Sequence, residues 1–190
     1  MEYGLIGERL GHSFSKVIHE EFGFYGYELK EIPRDELDVF MTRREFKGIN
    51  VTIPYKEEVI KHLDFIDEKA RSIGAVNTVV NKDGKLSGYN TDYFGLKMLL
   101  EENGFDLKGK KVLILGTGGT SKTAYAVCSN LGAEFLSKVS RSAKDGAISY
   151  EDAYKLHSDA AYIINTTPSG MYPNLDSKPI DLNAFTNLEG

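Results

Sequence analysis

Residues 111–132 read KVLILGTGGTSKTAYAVCSNLG, and the succession of textures in that stretch decides the fold. A short apolar run comes first, a glycine-rich turn (116–123) follows, and apolar residues at helical spacing then run to Leu131, with Gly132 as the stop. Strand, glycine turn and helix in that order open a βα unit, with the helix N-terminus facing the space beyond the carboxyl end of the strand.

Downstream the alternation continues. A second strand is expected at 134–140, a helix at 150–157 and a third strand at 160–165, a βαβαβ unit equivalent to the mononucleotide-binding half of a Rossmann sheet. In that setting Gly116 permits the tight turn, Gly118 lets the backbone approach a diphosphate, and Thr120 or Ser121 can cap the helix. Thr117 and Gly119 complete the candidate cradle. The fingerprint G-x-G-x-x-G would put glycine at Ser121, so the turn is either a dinucleotide site or a ligand-free connection.

Cofactor choice is read at the end of the second strand, where an acidic residue would accept from the ribose 2′-hydroxyl of NAD. Here stand Ser140, Arg141 and Ser142, followed by Lys144. A guanidinium between two hydroxyls suits a 2′-phosphate and favours NADP, the plainer alternative being a solvated arginine in a loop. The loop at 165–171 offers Thr167 and Ser169 either as cofactor contacts or as parts of a Pro-Ser-Gly turn.

Upstream, strands are expected at 3–7, 28–32, 48–52 and 76–81. Helices fall between them, from just after Ser13 to about Phe24, then at 35–44, 56–62 and 67–73, the last ended by Gly74. Asp83-Gly84 marks a hairpin after the fourth strand. A helix capped by Asn90 or Thr91 and ended by Gly104 leads, through FDLKGK, into the second half. The fold class is therefore α/β, with an N-terminal α/β domain at 1–103 and a partial Rossmann domain at 104–190.

Polar residues cluster in the first half. Ser13 and Ser15, at i and i+2, can both reach one ligand, or one of them can simply cap the following helix. Asn50 and Thr52 lie at the carboxyl end of a strand, where open α/β sheets bind ligands, and Lys56 follows Pro54 at the mouth of the next helix. A helix dipole there would disfavour the ammonium and draw its pKa toward neutrality, which suits proton transfer; a solvated lysine is the plain alternative. Asn77 falls in an apolar strand and needs a partner, from backbone or ligand. Asp92 falls in the first turn of a helix, where the dipole favours its carboxylate, whether as a cap or as a functional group.

Composition narrows the function classes. The 190 residues are 41% hydrophobic and 27% charged, as in an ordinary globular protein. A formal net charge of -5 argues against nucleic-acid binding. The lone Cys128, inside a helical apolar pattern, excludes a disulfide framework or thiolate metal site and reads as a buried, inert thiol. No basic and apolar leader and no membrane-length apolar window occurs, so a cytoplasmic protein is expected.

Taken together, GHSFSKVIH, GINVTIPYKEEV, DEKARSIGAVNTVV, GYNTDYFG, GTGGTSKTA and INTTPSGMYP resemble the shikimate dehydrogenase family, in order and over nearly the whole chain. The resemblance implies reduction of 3-dehydroshikimate to shikimate with NADPH, on the route to chorismate and the aromatic amino acids. It implies that Ser13 and Ser15 hold the substrate carboxylate, and that Asn50, Thr52, Asn77 and Asp92 line the hydroxyl-binding side. Lys56 and Asp92 match the catalytic pair, the lysine protonating the developing alkoxide or stabilising its charge and the aspartate positioning and polarising the lysine, without a metal. Partners would be small molecules only, and the protein a monomer or homodimer. In this family a residue such as Ser121 in the glycine turn is usual. Family members continue for several tens of residues more, completing the Rossmann sheet, supplying a substrate-contacting glutamine and returning a helix to the first domain. The chain is accordingly expected to stop short, with its activity alone in question. The alternatives are a quinate/shikimate dehydrogenase using NAD, or a binding remnant without redox chemistry.

Overall fold

The run Tyr3–Gly7 (β1) is buried from its second residue onward and pairs in parallel with Glu28–Glu31 (β2) on one side and Gly48–Val51 (β3) on the other. The computed structural model describes residues 1–11, 13–23, 25–144 and 146–190, which divide into two units, Met1–Thr91 and Asp92–Gly190. The division falls ahead of the helix that the sequence reading takes as the connection.

In the first unit Phe65–Ile66 (β4), Thr78–Lys82 (β5) and Lys85–Tyr89 (β6) complete a six-stranded mixed sheet in the order β2-β1-β3-β5-β6-β4. β5 runs antiparallel to β3, and β6 antiparallel to β5, through a turn in which Asp83 and Gly84 both have positive φ (53° and 78°). One face packs the main core, where Ile6, Ile49, Val51 and Val79 meet Leu37 and Met41 of Leu37–Arg43 (α2). The other face carries a smaller cluster of Leu5, Leu10 and Tyr27. Asn50 is in register with Leu5, so the strand's alternation turns its side chain toward this second cluster.

Ser15–Phe22 (α1) buries none of its residues, and Phe14, Val17, Ile18 and Phe22 are exposed. Its expected end at Phe24 lies outside the described residues. Glu68–Ile73 (α3) is capped by the Asp67 carboxylate, which accepts from the N–H groups of Lys69 and Ala70, and is closed by Gly74 in the left-handed region. The segment expected to be helical from Lys56 is instead a turn leading into a 3-10 helix at Glu58–His62. The strand expected from Val76 begins at Thr78, which leaves Asn77 just ahead of the ladder.

The second unit opens with Asp92–Glu102 (α4) and then builds Lys111–Leu115 (β7), Gly119–Asn130 (α5), Phe135–Val139 (β8), Tyr150–Leu156 (α6) and Tyr162–Asn165 (β9). The three strands are parallel in the order β8-β7-β9. β8 and β9 lie on opposite sides of β7, so the winding reverses there and a crevice opens beyond its carboxyl end. α5 starts at Gly119, inside the stretch expected to be the glycine turn, because Gly118 in extended backbone is the N-cap. Thr120 and Ser121 are therefore not caps but first-turn residues, and the Ser121 hydroxyl donates to the Gly118 carbonyl at 2.7 Å. Cys128 is fully buried on α5, and burial pushes its thiol up to about 12, which leaves it inert. Among the described residues no helix is long and apolar enough to cross a membrane.

Candidate functional site

Register brings the polar residues of the first unit to one end of its sheet. Asn50 of β3 pairs with Thr78 of β5, and Thr78 pairs with Tyr89 of β6. Because β5 is antiparallel to both neighbours, the carboxyl ends of β3 and β6 and the amino end of β5 coincide. Backbone bonds extend this edge past the strands, with Val51 N–H donating to the Asn77 carbonyl at 2.8 Å and Asn77 N–H to the Tyr89 carbonyl at 3.0 Å.

Side chains knit the same edge. Oδ1 of Asn77 accepts from Thr91 N–H at 2.8 Å and from the Thr78 hydroxyl at 3.1 Å, and its Nδ2 donates to the Thr91 hydroxyl at 2.9 Å. The buried carboxamide demanded by the sequence is thus satisfied within the protein. Asn50 Nδ2 donates to the Thr78 hydroxyl at 3.2 Å, and its Oδ1 accepts from the Tyr27 phenol at 2.6 Å. Asn90 Nδ2 donates to the Ala75 carbonyl at 2.9 Å and closes the turn before α4.

Thr52 lies one residue past β3, half-buried, its N–H bonded to the Ile6 carbonyl. Lys56 is half-buried in the following turn, and its carbonyl accepts from Val76 N–H at 2.7 Å. The helix dipole invoked for Lys56 is missing, since only a five-residue 3-10 helix starts beyond it. Ser13 and Ser15 lie at the mouth of α1, where the Ser13 hydroxyl oxygen accepts from Ser15 N–H at 3.2 Å. That local turn uses the Ser13 acceptor and leaves its proton to donate. Asp92 is the acidic residue in the first turn of α4 and belongs to the second unit.

In the second unit a groove of about 410 Å³ is lined by Gly116, Thr117, Val139, Ser140, Arg141, Ser142, Tyr150 and Thr167. Gly116 has φ 114°, and a Cβ there would fall 2.7 Å from the Thr166 hydroxyl oxygen, so glycine is required by conformation and by space. A Cβ on Gly118 would meet nothing within 4 Å, so the backbone there is open to close approach. Gly119 and Thr120 follow in the first turn of α5, beside but not within the groove lining. The hydroxyls of Ser140 and Ser142 lie 3.4 Å apart, on either side of Arg141 in the chain. The Thr167 hydroxyl donates to Asn165 Oδ1 at 2.6 Å, whereas the Ser169 hydroxyl is 2.6 Å from that of Ser177 and does not line the groove. Open glycine backbone at a helix start, with a guanidinium and two hydroxyls across the groove, fits a phosphorylated nucleotide.

Sequence reasoning missed four contributors. Tyr150 lines the groove from the first turn of α6, where burial raises its phenol pKa and the nearby Arg141 charge opposes the rise. Thr78 and Thr91 carry the hydroxyls that join Asn50 to Asn77, and Tyr27 supplies the phenol at one end. The threonines stand beside Asn77 and Asp92, within motifs already singled out, but Tyr27 left no local signal.

The family model for the shikimate dehydrogenase substrate binding domain matches residues 5–79. A shikimate dehydrogenase (NADP(+)) from Clostridium beijerinckii is 37% identical over 203 residues, covering 98% of this chain and 74% of that protein. The crystal structure of shikimate dehydrogenase 1 from Peptoclostridium difficile superposes with a TM-score of 0.89 at 38% identity, covering 99% of this chain and 75% of that one. A shikimate 5-dehydrogenase from Thermus thermophilus, solved in complex with NADP(H) and shikimate, gives a TM-score of 0.83 at 29% identity, covering 99% of this chain and 76% of that one.

Proposed function

The chain belongs to the shikimate dehydrogenase family, and on that premise we propose that it is an NADP-dependent oxidoreductase of the shikimate/3-dehydroshikimate pair. Its working direction is reduction of 3-dehydroshikimate, in service of chorismate and aromatic amino acid synthesis. The observation that carries the reading is the register that gathers Asn50, Thr78, Asn77 and Thr91 into one hydrogen-bonded edge, with Thr52 and Lys56 immediately beyond β3. A polyhydroxylated ring acid needs such a set of directional donors and acceptors, with a cation for its reacting oxygen.

Within this reading unit 1 is the substrate domain and unit 2 the cofactor domain. Ser13 and Ser15 donate to the substrate carboxylate, while Asn50, Thr52, Asn77 and Asp92 sort its hydroxyls. Lys56 and Asp92 are the catalytic residues, and Lys56 holds the proton that reaches the substrate oxygen as negative charge develops there. NADPH supplies the hydride when bound. Gly116 to Thr120 would take its diphosphate and Ser140, Arg141 and Ser142 its 2′-phosphate, with Thr167 lining the groove beside Gly116.

A four-way assay tests substrate and cofactor together: shikimate or quinate as substrate, each with NADP or NAD. The reading expects shikimate with NADP to give the highest kcat/KM; quinate with NAD in that place would move the chain to the quinate/shikimate type.

A further inference from the structure

Tyr27 is 2% exposed, and burial, with a smaller contribution from Tyr25, raises its phenol pKa well above the ordinary value. It therefore keeps its proton, and a buried proton must find an acceptor. The acceptor is Oδ1 of Asn50, 2.6 Å away across 23 residues of sequence. Everything else around the ring is fixed: His19 stacks on it at 3.9 Å with an interplanar angle of 6°, and Lys16 Nζ donates to the Tyr27 carbonyl at 3.0 Å.

That single bond has consequences along the site edge. A flipped Asn50 amide would point Nδ2 at the phenol and strand the tyrosine proton, so Nδ2 is held toward Thr78. With its oxygen accepting from Asn50 at 3.2 Å, the Thr78 hydroxyl spends its one proton on Asn77 Oδ1 at 3.1 Å. Asn77 Oδ1 also takes Thr91 N–H at 2.8 Å, which leaves Nδ2 to donate to the Thr91 hydroxyl at 2.9 Å. Donation thus runs from Tyr27 through Asn50 and Thr78 to Asn77, which exchanges bonds with Thr91: Nδ2 donates to the Thr91 hydroxyl, and that hydroxyl lies 3.2 Å from Oδ1, to which it donates in return.

We infer that Tyr27 is a positioning residue, whose phenol sets the donor sense of this chain and so decides which atoms of Asn50 and Asn77 are presented to the substrate hydroxyls. The inference rests on the proposed shikimate site and adds to it a residue outside the six sequence motifs. Tyr27→Phe is the apt variant because it keeps the ring and its stack on His19 and removes only the donor.

The test is a double-mutant cycle of Tyr27→Phe and Asn50→Ala read by calorimetric titration of shikimate, with NADP titration and thermal unfolding as controls. Tyr27→Phe is expected to weaken shikimate binding about tenfold, to leave NADP binding unchanged and to add nothing in the Asn50→Ala background. Full additivity of the two losses, or wild-type affinity in Tyr27→Phe, overturns the inference. Wild-type affinity in Asn50→Ala instead overturns the proposed site itself. A second measurement needs no asparagine variant: in 15N-labelled protein Tyr27→Phe shifts the side-chain amide signals of Asn50 and Asn77, and unmoved signals overturn the inference as well.

Discussion

Thr91 N–H donates to Oδ1 of Asn77 at 2.8 Å, and this bond fastens the last residue before α4 to the residue just ahead of β5. Backbone N–H groups at the start of a helix have no intrahelical partner. Here a buried carboxamide serves that end of the chain while its own second group is satisfied by the Thr91 hydroxyl. One asparagine therefore couples the strand edge that carries Asn50 to the turn that ends at Thr91.

Asn77→Ala should destabilise the protein by about 1–3 kcal/mol, because it leaves the Thr91 N–H and the Thr78 hydroxyl without their buried acceptor. Denaturant unfolding with an unchanged m-value would show the loss. Stability equal to wild type would mean that water or a neighbour replaces the carboxamide.

Gly116→Ala should abolish NADP binding and cost about 1–3 kcal/mol, since φ is 114° there and the added Cβ falls 2.7 Å from the Thr166 hydroxyl. Cofactor titration and thermal unfolding report the two effects separately. Normal NADP affinity in this variant would remove the glycine turn from the cofactor site.

Arg141→Ala should weaken NADP binding at least tenfold, in line with about 1.5–3 kcal/mol for a hydrogen bond to a charged group, and leave NAD binding nearly unchanged. An equal loss for both dinucleotides would make Arg141 a general electrostatic contributor rather than a reader of the 2′-phosphate.

His157 sets a pH dependence of stability. Its ring stacks on Phe135 at 4.6 Å, and burial together with the Lys111 charge lowers its pKa from the ordinary value of 6.5, with Asp159 and Asp152 opposing. The unfolded chain then takes up a proton that the folded chain resists, so stability declines as pH falls through about 6.5 toward the lower folded value. Thermal unfolding across that window should show the decline in wild type and a flatter profile in His157→Phe. Identical slopes in both would assign the effect to other groups.

The architecture was legible wherever the signal is local. Val112 to Leu115, the glycine turn and Gly132 follow one another within one short stretch, so strand, turn and helix of the second unit are read directly, and Asp83-Gly84 marks its hairpin just as plainly. The α5 start was misjudged because Thr120 and Ser121 resemble caps, whereas Gly118 reaches the N-cap through backbone conformation alone. Short β4 has only two residues and depends on pairing with β6, so no periodicity could announce it. At the site, Asn50 and Asn77 stood out as polar residues in apolar surroundings. The Tyr27 phenol did not, because its partner is 23 residues away and buried tyrosine is unremarkable in a core. Tyr150 escaped for the same reason, since only the crossover to α6 brings it beside Arg141.

The chemistry proposed for this chain is hydride exchange between shikimate and NADP with Lys56 handling the proton. The most direct measurement is NADPH formation from shikimate and NADP, followed by absorbance, for the wild-type chain and for Lys56→Ala with its NADP affinity titrated in parallel. Wild type should form NADPH in a shikimate-dependent way, and Lys56→Ala should lose at least about a hundredfold in kcat with NADP affinity retained. Turnover in Lys56→Ala equal to wild type, or no NADPH from a wild-type chain that binds both molecules, would contradict it.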